Sequence, residues 1–122
     1  MKIQITDGEL ELMKVLWERS PLTLPELVAG VQQSNRWELG TIRTMLTRLM
    51  GKKAVEQSGE RRGYRYKPLV GRKEYLDSAS DNFIMRTFGG TRAMLSFFME
   101  RGKISPDDLA ELERELERRN EK

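Results

Sequence analysis

The residues best suited to chemistry lie between Gly40 and Met50, G-T-I-R-T-M-L-T-R-L-M. Placed on a helix at about 100° per residue, Ile42, Met45, Leu46 and Leu49 share one stripe, and Arg43, Thr44, Thr47 and Arg48 project from the other side. The outward side carries guanidinium donors and hydroxyls and no acid, whereas a solvated helix usually mixes both signs of charge. Such a face suits a polyanionic, hydrogen-bonding partner, and a helix of this kind suits a DNA groove. An amphipathic helix whose arginines only keep it soluble fits the same residues, so the flanking sequence has to decide.

Other chemistries lack their parts. The chain has neither histidine nor cysteine, which removes the commonest general base, the commonest metal ligand, thiolate sites and disulfides. No metal site and no cofactor is expected, and a cysteine-free chain agrees with a reducing cytoplasm. Asp7, Glu9, Glu56 and Glu60 are separated and embedded in cap or turn signals, which reads as helix capping and surface solvation rather than acid–base work. Trp17 and Trp37 read as core or domain-edge packing, and the seven methionines mostly sit on apolar stripes. The chain is therefore expected not to be an enzyme. The start, M-K-I-Q-I-T-D-G-E-L, has no signal-peptide run, and no stretch approaches the roughly 20 apolar residues of a membrane span. A cytoplasmic protein is expected.

The 122 residues suffice for one compact domain, or for a small domain with a helical appendage. Hydrophobic residues make up 38% and charged residues 34%, a lean balance that favours oligomerisation. Charge is uneven: residues 36–72 hold ten basic and three acidic residues, net +7, and residues 73–122 hold nine and eleven, net −2.

The elements that would position the Arg/Thr face can be read along the chain. Thr6 with Glu9 forms a capping-box signature ahead of Leu10, Met13, Leu16 and Trp17, a first helix that Ser20-Pro21 interrupts. Thr23 with Glu26 repeats the signature, Pro25 sits in the first turn, and Leu27, Val28 and Val31 mark a second helix of about ten residues. The third helix spans about Glu38 to Lys52 and ends where Gly51 and two lysines weaken and cap it. Three helices are thus expected before any strand. Val55–Gln57 and Tyr64–Lys67 read as strands joined by S-G-E-R-R-G, with Arg61 and Arg62 at the tip. Three helices and a hairpin is the order of a winged helix-turn-helix, whose third helix enters the major groove.

From Arg72 onward the pattern is helical. Tyr75, Leu76, Ala79, Phe83, Ile84 and Phe88 mark one segment that stops at Gly89-Gly90. The next, Thr91–Arg101, carries Met94, Leu95, Phe97, Phe98 and Met99, too much apolar surface for a lone helix. Ser105 then caps, Pro106 takes the first helical position, and Leu109, Leu112 and Leu116 repeat at three-and-four spacing. These helices look built to pair with a second copy. The predicted fold is mainly α with a small β-hairpin: a winged helix-turn-helix DNA-binding domain over 1–70 and a helical dimerisation domain over 71–122. Candidate dimerisation residues are Leu76, Phe83, Phe88, Met94, Leu95, Phe97, Phe98, Leu109, Leu112 and Leu116.

T-D-G-E-L-E-L-M-K-V-L-W near the start, T-I-R-T-M-L-T-R-L, G-Y-R-Y-K-P-L-V, R-K-E-Y and F-G-G follow one another at family spacing. Together they resemble the penicillinase repressor family, the BlaI/MecI/CopY group of bacterial winged-helix regulators, over essentially the whole chain. The resemblance implies a homodimer whose amino-terminal domains each read half of a palindromic operator in double-stranded DNA, with intertwined carboxy-terminal helices, and repression by blocking polymerase. It implies DNA contact by Thr41, Arg43, Thr44, Thr47 and Arg48, and by Arg61, Arg62 and Tyr64 around the wing. It also implies a membrane sensor that triggers cleavage at an Asn-Phe bond, for which the aligned pair here is Phe97-Phe98, a departure from that signal. The cysteine cluster of the copper-responsive branch is missing, so metal sensing by that route is excluded. Where the family often shows W-S-P-K, this chain has W-E-L-G at Trp37–Gly40, and Glu38 is a poorer cap than serine. The competing expectation is a winged-helix module that binds another protein through the same surface.

Overall fold

The computed structural model describes residues 4–120; residues 1–3 and 121–122 lie outside the described residues. Helix α1 (Asp7–Glu18) is followed by a two-residue strand β1 (Leu22–Thr23), α2 (Leu24–Gln32) and α3 (Leu39–Gly51). Strands β2 (Val55–Ser58) and β3 (Arg65–Pro68) come next, then α4 (Arg72–Thr87), α5 (Thr91–Glu100) and α6 (Pro106–Asn120). The chain divides into two compact units, Met1–Ser78 and Ala79–Lys122, and the division falls inside α4.

The first unit starts where its caps dictate. Thr6 Oγ1 accepts the Glu9 amide and the Glu9 carboxylate accepts the Thr6 amide, and Thr23 and Glu26 do the same for α2, so both boxes satisfy amides that a helix start leaves open. Leu12, Met13 and Leu16 of α1, Leu27 and Val31 of α2, and Ile42, Leu46 and Leu49 of α3 close one core with Leu22, Ala54, Val55, Tyr66 and Val70. Gly30 lets α2 lie close on α1, because a Cβ there would stand 2.6 Å from Val15 Cγ1.

Two expectations about strands are corrected. A strand precedes the second helix, since Leu22 and Thr23 pair antiparallel with Tyr66 and Arg65 and turn the hairpin into a three-stranded sheet in the order β1-β3-β2. The second arm of the hairpin begins one residue later: Arg65 faces Ser58, and Tyr64 lies between the turn and the strand. Gly59 at φ +92 makes that turn possible, with a hypothetical Cβ only 2.8 Å from the Gly63 carbonyl.

In the second unit, Gly89 at φ +82 ends α4 and Gly102 at φ +70 ends α5. Ser105 and Asp108 cap α6 reciprocally, at 3.1 and 3.0 Å. Phe88 meets Phe83, Phe97 and Phe98, with ring centroids 5.9, 5.5 and 5.7 Å away. No described residue of this unit is fully buried.

Candidate nucleic-acid interface

Packing decides which side of α3 faces out. Ile42, Leu46 and Leu49 are buried and Met45 and Met50 half-buried against the core, so Thr41, Arg43, Thr44, Thr47 and Arg48 are all left exposed. The Thr44 hydroxyl donates to the Gly40 carbonyl at 2.9 Å, which ties it to its own helix while the residue stays exposed. Glu38 occupies the N-cap with no side-chain hydrogen bond, and no acid sits in the first turn. The open amides of α3 thus donate to no carboxylate, and the charge of Glu38 beside them offsets the partial positive charge of the helix start.

The far end of α3 is fixed by backbone geometry. The Ala54 amide reaches the Leu49 carbonyl at 2.9 Å and the Lys53 amide the Met50 carbonyl at 3.0 Å, a Schellman closure in which Lys53 takes the left-handed position at φ +63. The helix ends where Gly51 and the two lysines are expected to cap it: Gly51 is its last helical residue, Lys52 is the C-cap and Lys53 makes the reversal. That reversal leads straight into β2 and aims the wing.

On the wing, Arg61 and Arg62 lie exposed in the turn and Tyr64 is 37% exposed beside them. Arg43, Arg48, Arg61 and Arg62 take part in none of the ion pairs among the described residues. Four unpaired guanidinium groups on one helix face and one hairpin tip form a surface suited to phosphate oxygens and base edges. The basic residue that does pair nearby, Lys67, is tied to Glu56 at 3.2 Å on the sheet.

One polar feature of the unit went unread in the sequence. Glu9, expected to serve as a cap at a solvated surface, is a cap but is only 1% exposed. Its Oε1 accepts the Thr6 amide at 3.0 Å and the Lys52 ammonium, and Lys52 also donates to the Gln4 carbonyl at 2.8 Å. Burial by itself would raise the Glu9 carboxyl, but Lys52 and the Thr6 amide outweigh it and hold it below its ordinary value of 4.5. Glu9 lies 43 residues from Lys52, so no local pattern could have paired them. Both tryptophans pack as expected: the Trp17 indole donates to the Val70 carbonyl at 2.8 Å and lies 5.6 Å from the Tyr75 ring, and Trp37 lies against the core.

Of the candidate dimerisation residues, Phe83, Leu95, Phe97, Leu112 and Leu116 are exposed in the second unit, and Phe88, Met94, Phe98 and Leu109 are half-buried there. Leu76 is exposed on the first-unit part of α4. Among the described residues no cluster of metal-ligating side chains occurs, and no helix is long and apolar enough to cross a membrane.

Comparison with known proteins places this geometry. A family model described as "Penicillinase repressor" matches residues 5–118. The chain is 35% identical over 115 residues to the penicillinase repressor of Bacillus licheniformis, covering 93% of this chain and 90% of that one. It is 27% identical over 110 residues to the methicillin resistance regulatory protein MecI of Staphylococcus aureus strain N315, covering 89% of each. Among solved structures it is similar to the solution structure of the DNA binding domain of the repressor BlaI, at TM-score 0.55 and 39% identity, over 61% of this chain and 92% of that one. It is equally similar to Bacillus licheniformis BlaI in its monomeric form in complex with the blaP half-operator, at TM-score 0.54 and 39% identity with the same coverage. With a winged-helix unit that leaves a basic face unpaired, and a family match along nearly its whole length, the chain belongs to the penicillinase repressors.

Proposed function

We propose that this chain is a cytoplasmic, homodimeric transcriptional repressor in which each protomer reads one half of a palindromic operator through α3 and the wing. In this reading Arg43 and Arg48 flank the duplex-facing side of α3, Thr44 and Thr47 supply hydroxyls and methyls between them with Thr41 just outside that arc on the Arg48 side, and Arg61, Arg62 and Tyr64 meet the adjacent backbone. Arginine on guanine and threonine methyl on thymine methyl are the pairings such a face offers, with the remaining arginines on phosphates.

The carrying observation is the set of four arginines without protein partners on exposed α3 and the wing, in a domain 39% identical to one solved on a half-operator. The protein-binding alternative gives no reason for an acid-free helix face. The second copy would be held by 71–122, where Leu76, Phe83, Phe88, Met94, Leu95, Phe97, Phe98, Leu109, Leu112 and Leu116 offer apolar surface that this unit leaves partly open. The protein is a binder and not a catalyst in this reading. It assigns no proteolytic release to the family's Asn-Phe position, where Phe97-Phe98 stands here, and leaves cleavage at a different bond open.

A footprint on the DNA upstream of the chain's own gene tests the proposal. Two protected half-sites on one face of the duplex, about one or two helical turns apart, are expected. Binding without protection of any defined sequence would favour the interaction-module reading instead.

A further inference from the structure

We infer that the Glu9–Lys52 pair is a positioning device for the recognition helix, pinning the end of α3 to the first turn of α1 and setting the pose of Arg43 and Arg48. The inference rests on the DNA-binding reading of α3.

Glu9 is the one buried charged side chain among the described residues. Its Oε1 collects both the Thr6 amide and the Lys52 ammonium, and its Oε2 accepts no hydrogen bond among the described residues. A buried carboxylate with one oxygen unanswered is a costly way to pack this site, and an apolar side chain of similar volume would serve the core as well. What the apolar alternative lacks is direction. The core that α1 and α3 share is otherwise apolar, with Leu12, Met13, Leu16, Ile42 and Leu49 buried in it and Met45 packed against it, and such attraction is non-directional and tolerates small rotations.

Rotation is what a recognition helix cannot tolerate here. Arg43 and Arg48 lie about 140° apart around the helix axis, so turning α3 brings one closer to the duplex and carries the other away. Lys52 sits at the C-cap, beyond the last turn, and its ammonium is committed inward to Glu9 and the Gln4 carbonyl. The neighbouring Lys53 is exposed and forms no ion pair among the described residues. Adjacent lysines thus have different work: Lys52 holds the helix, and Lys53 is left free toward solvent.

The test compares full-length wild type with Lys52→Met, Lys52→Arg and Glu9→Gln on two probes. One is a duplex the wild type selects from a random library, and the other is a scrambled duplex of the same composition. Lys52→Met is expected to lower the selected-to-scrambled affinity ratio roughly tenfold, in the range of coupling through packed elements. It should leave the slope of log affinity against log salt at the wild-type value, and Lys52→Arg should restore most of the ratio. Partial unfolding would lower both affinities alike, so the ratio separates pose from folding. If Lys52→Met does not fold, the nearly isosteric Glu9→Gln carries the comparison, with a smaller loss in the same direction. A slope reduced by about 0.9 for each lysine lost would make Lys52 a phosphate contact and overturn the inference. So would wild-type ratios in both Lys52→Met and Glu9→Gln. A wild type that selects no duplex would overturn the DNA reading itself.

Discussion

Replacing Arg43, Arg48, Arg61 and Arg62 together with alanine should change DNA binding greatly and folding hardly at all. None of the four has an ion-pair partner among the described residues and all are exposed, so no folded-state interaction is lost with them. Surface changes of that kind usually stay within about 0.5 kcal/mol each. Binding is another matter. If all four meet phosphates in both protomers, eight charges release counterions, and the log–log salt slope carries about −0.9 per charge, or about −7 in all. Between about 50 and 200 mM salt that alone amounts to roughly 10⁴ in affinity. Fluorescence anisotropy of a labelled duplex across that range measures it. A single arginine that meets a phosphate should remove about 1.8 from the slope of a dimer. One that reads a base should instead lower discrimination by about 1 to 3 kcal/mol. A fourfold variant with the wild-type slope and an unchanged melting temperature would refute the reasoning, because the guanidinium groups would then face something other than DNA.

Three further outcomes follow from particular contacts. Gly30→Ala should be net destabilising by about 1 kcal/mol, since crowding Val15 costs about 1 to 3 kcal/mol and the helix regains about 1. In a Val15→Ala background the same change should become stabilising in a denaturant titration. Glu9 titrates below its ordinary value of 4.5, so its contribution is present above that value and is lost as pH falls through the lower folded-state value. Thermal melts from neutral pH downward should steepen below about pH 4.5, and Glu9→Gln should flatten that decline. Truncation after Ser78, which keeps Tyr75 on Trp17, is expected to leave a folded domain that sediments as a monomer and binds operator much more weakly. A truncated chain that still dimerised would place the dimer contacts elsewhere.

The parts of this fold that were legible before any coordinates are those governed by short-range rules. Thr6–Glu9 and Thr23–Glu26 place two helix starts because a reciprocal cap needs only three residues of spacing, and Ser105 places a third with Asp108 as its partner. The outward residues of α3 follow from the 3.6-residue period of Ile42, Met45, Leu46 and Leu49, and its end from Gly51 and the two lysines. Three features were not legible, each because a distant partner decides it. Two residues, Leu22 and Thr23, cannot show a strand period, and only Tyr66 and Arg65 opposite them make β1. The left-handed turn at the end of α3 falls on Lys53, a residue type that gives no local sign of it, because the Ala54 amide must reach the Leu49 carbonyl while both residues stay buried. Glu9 looked like a surface cap until the fold brought Lys52 to it from 43 positions away.

The central claim is that α3 lies along a duplex once per protomer, and the chain's lack of cysteine makes a direct measurement possible. A single Thr47→Cys, carrying a tethered DNA-cleaving reagent, should cut the selected duplex in two clusters, one inside each half-site. The same reagent added untethered to the unsubstituted protein should not produce those two clusters. Absence of cutting from position 47, on DNA the protein demonstrably binds, would contradict the account.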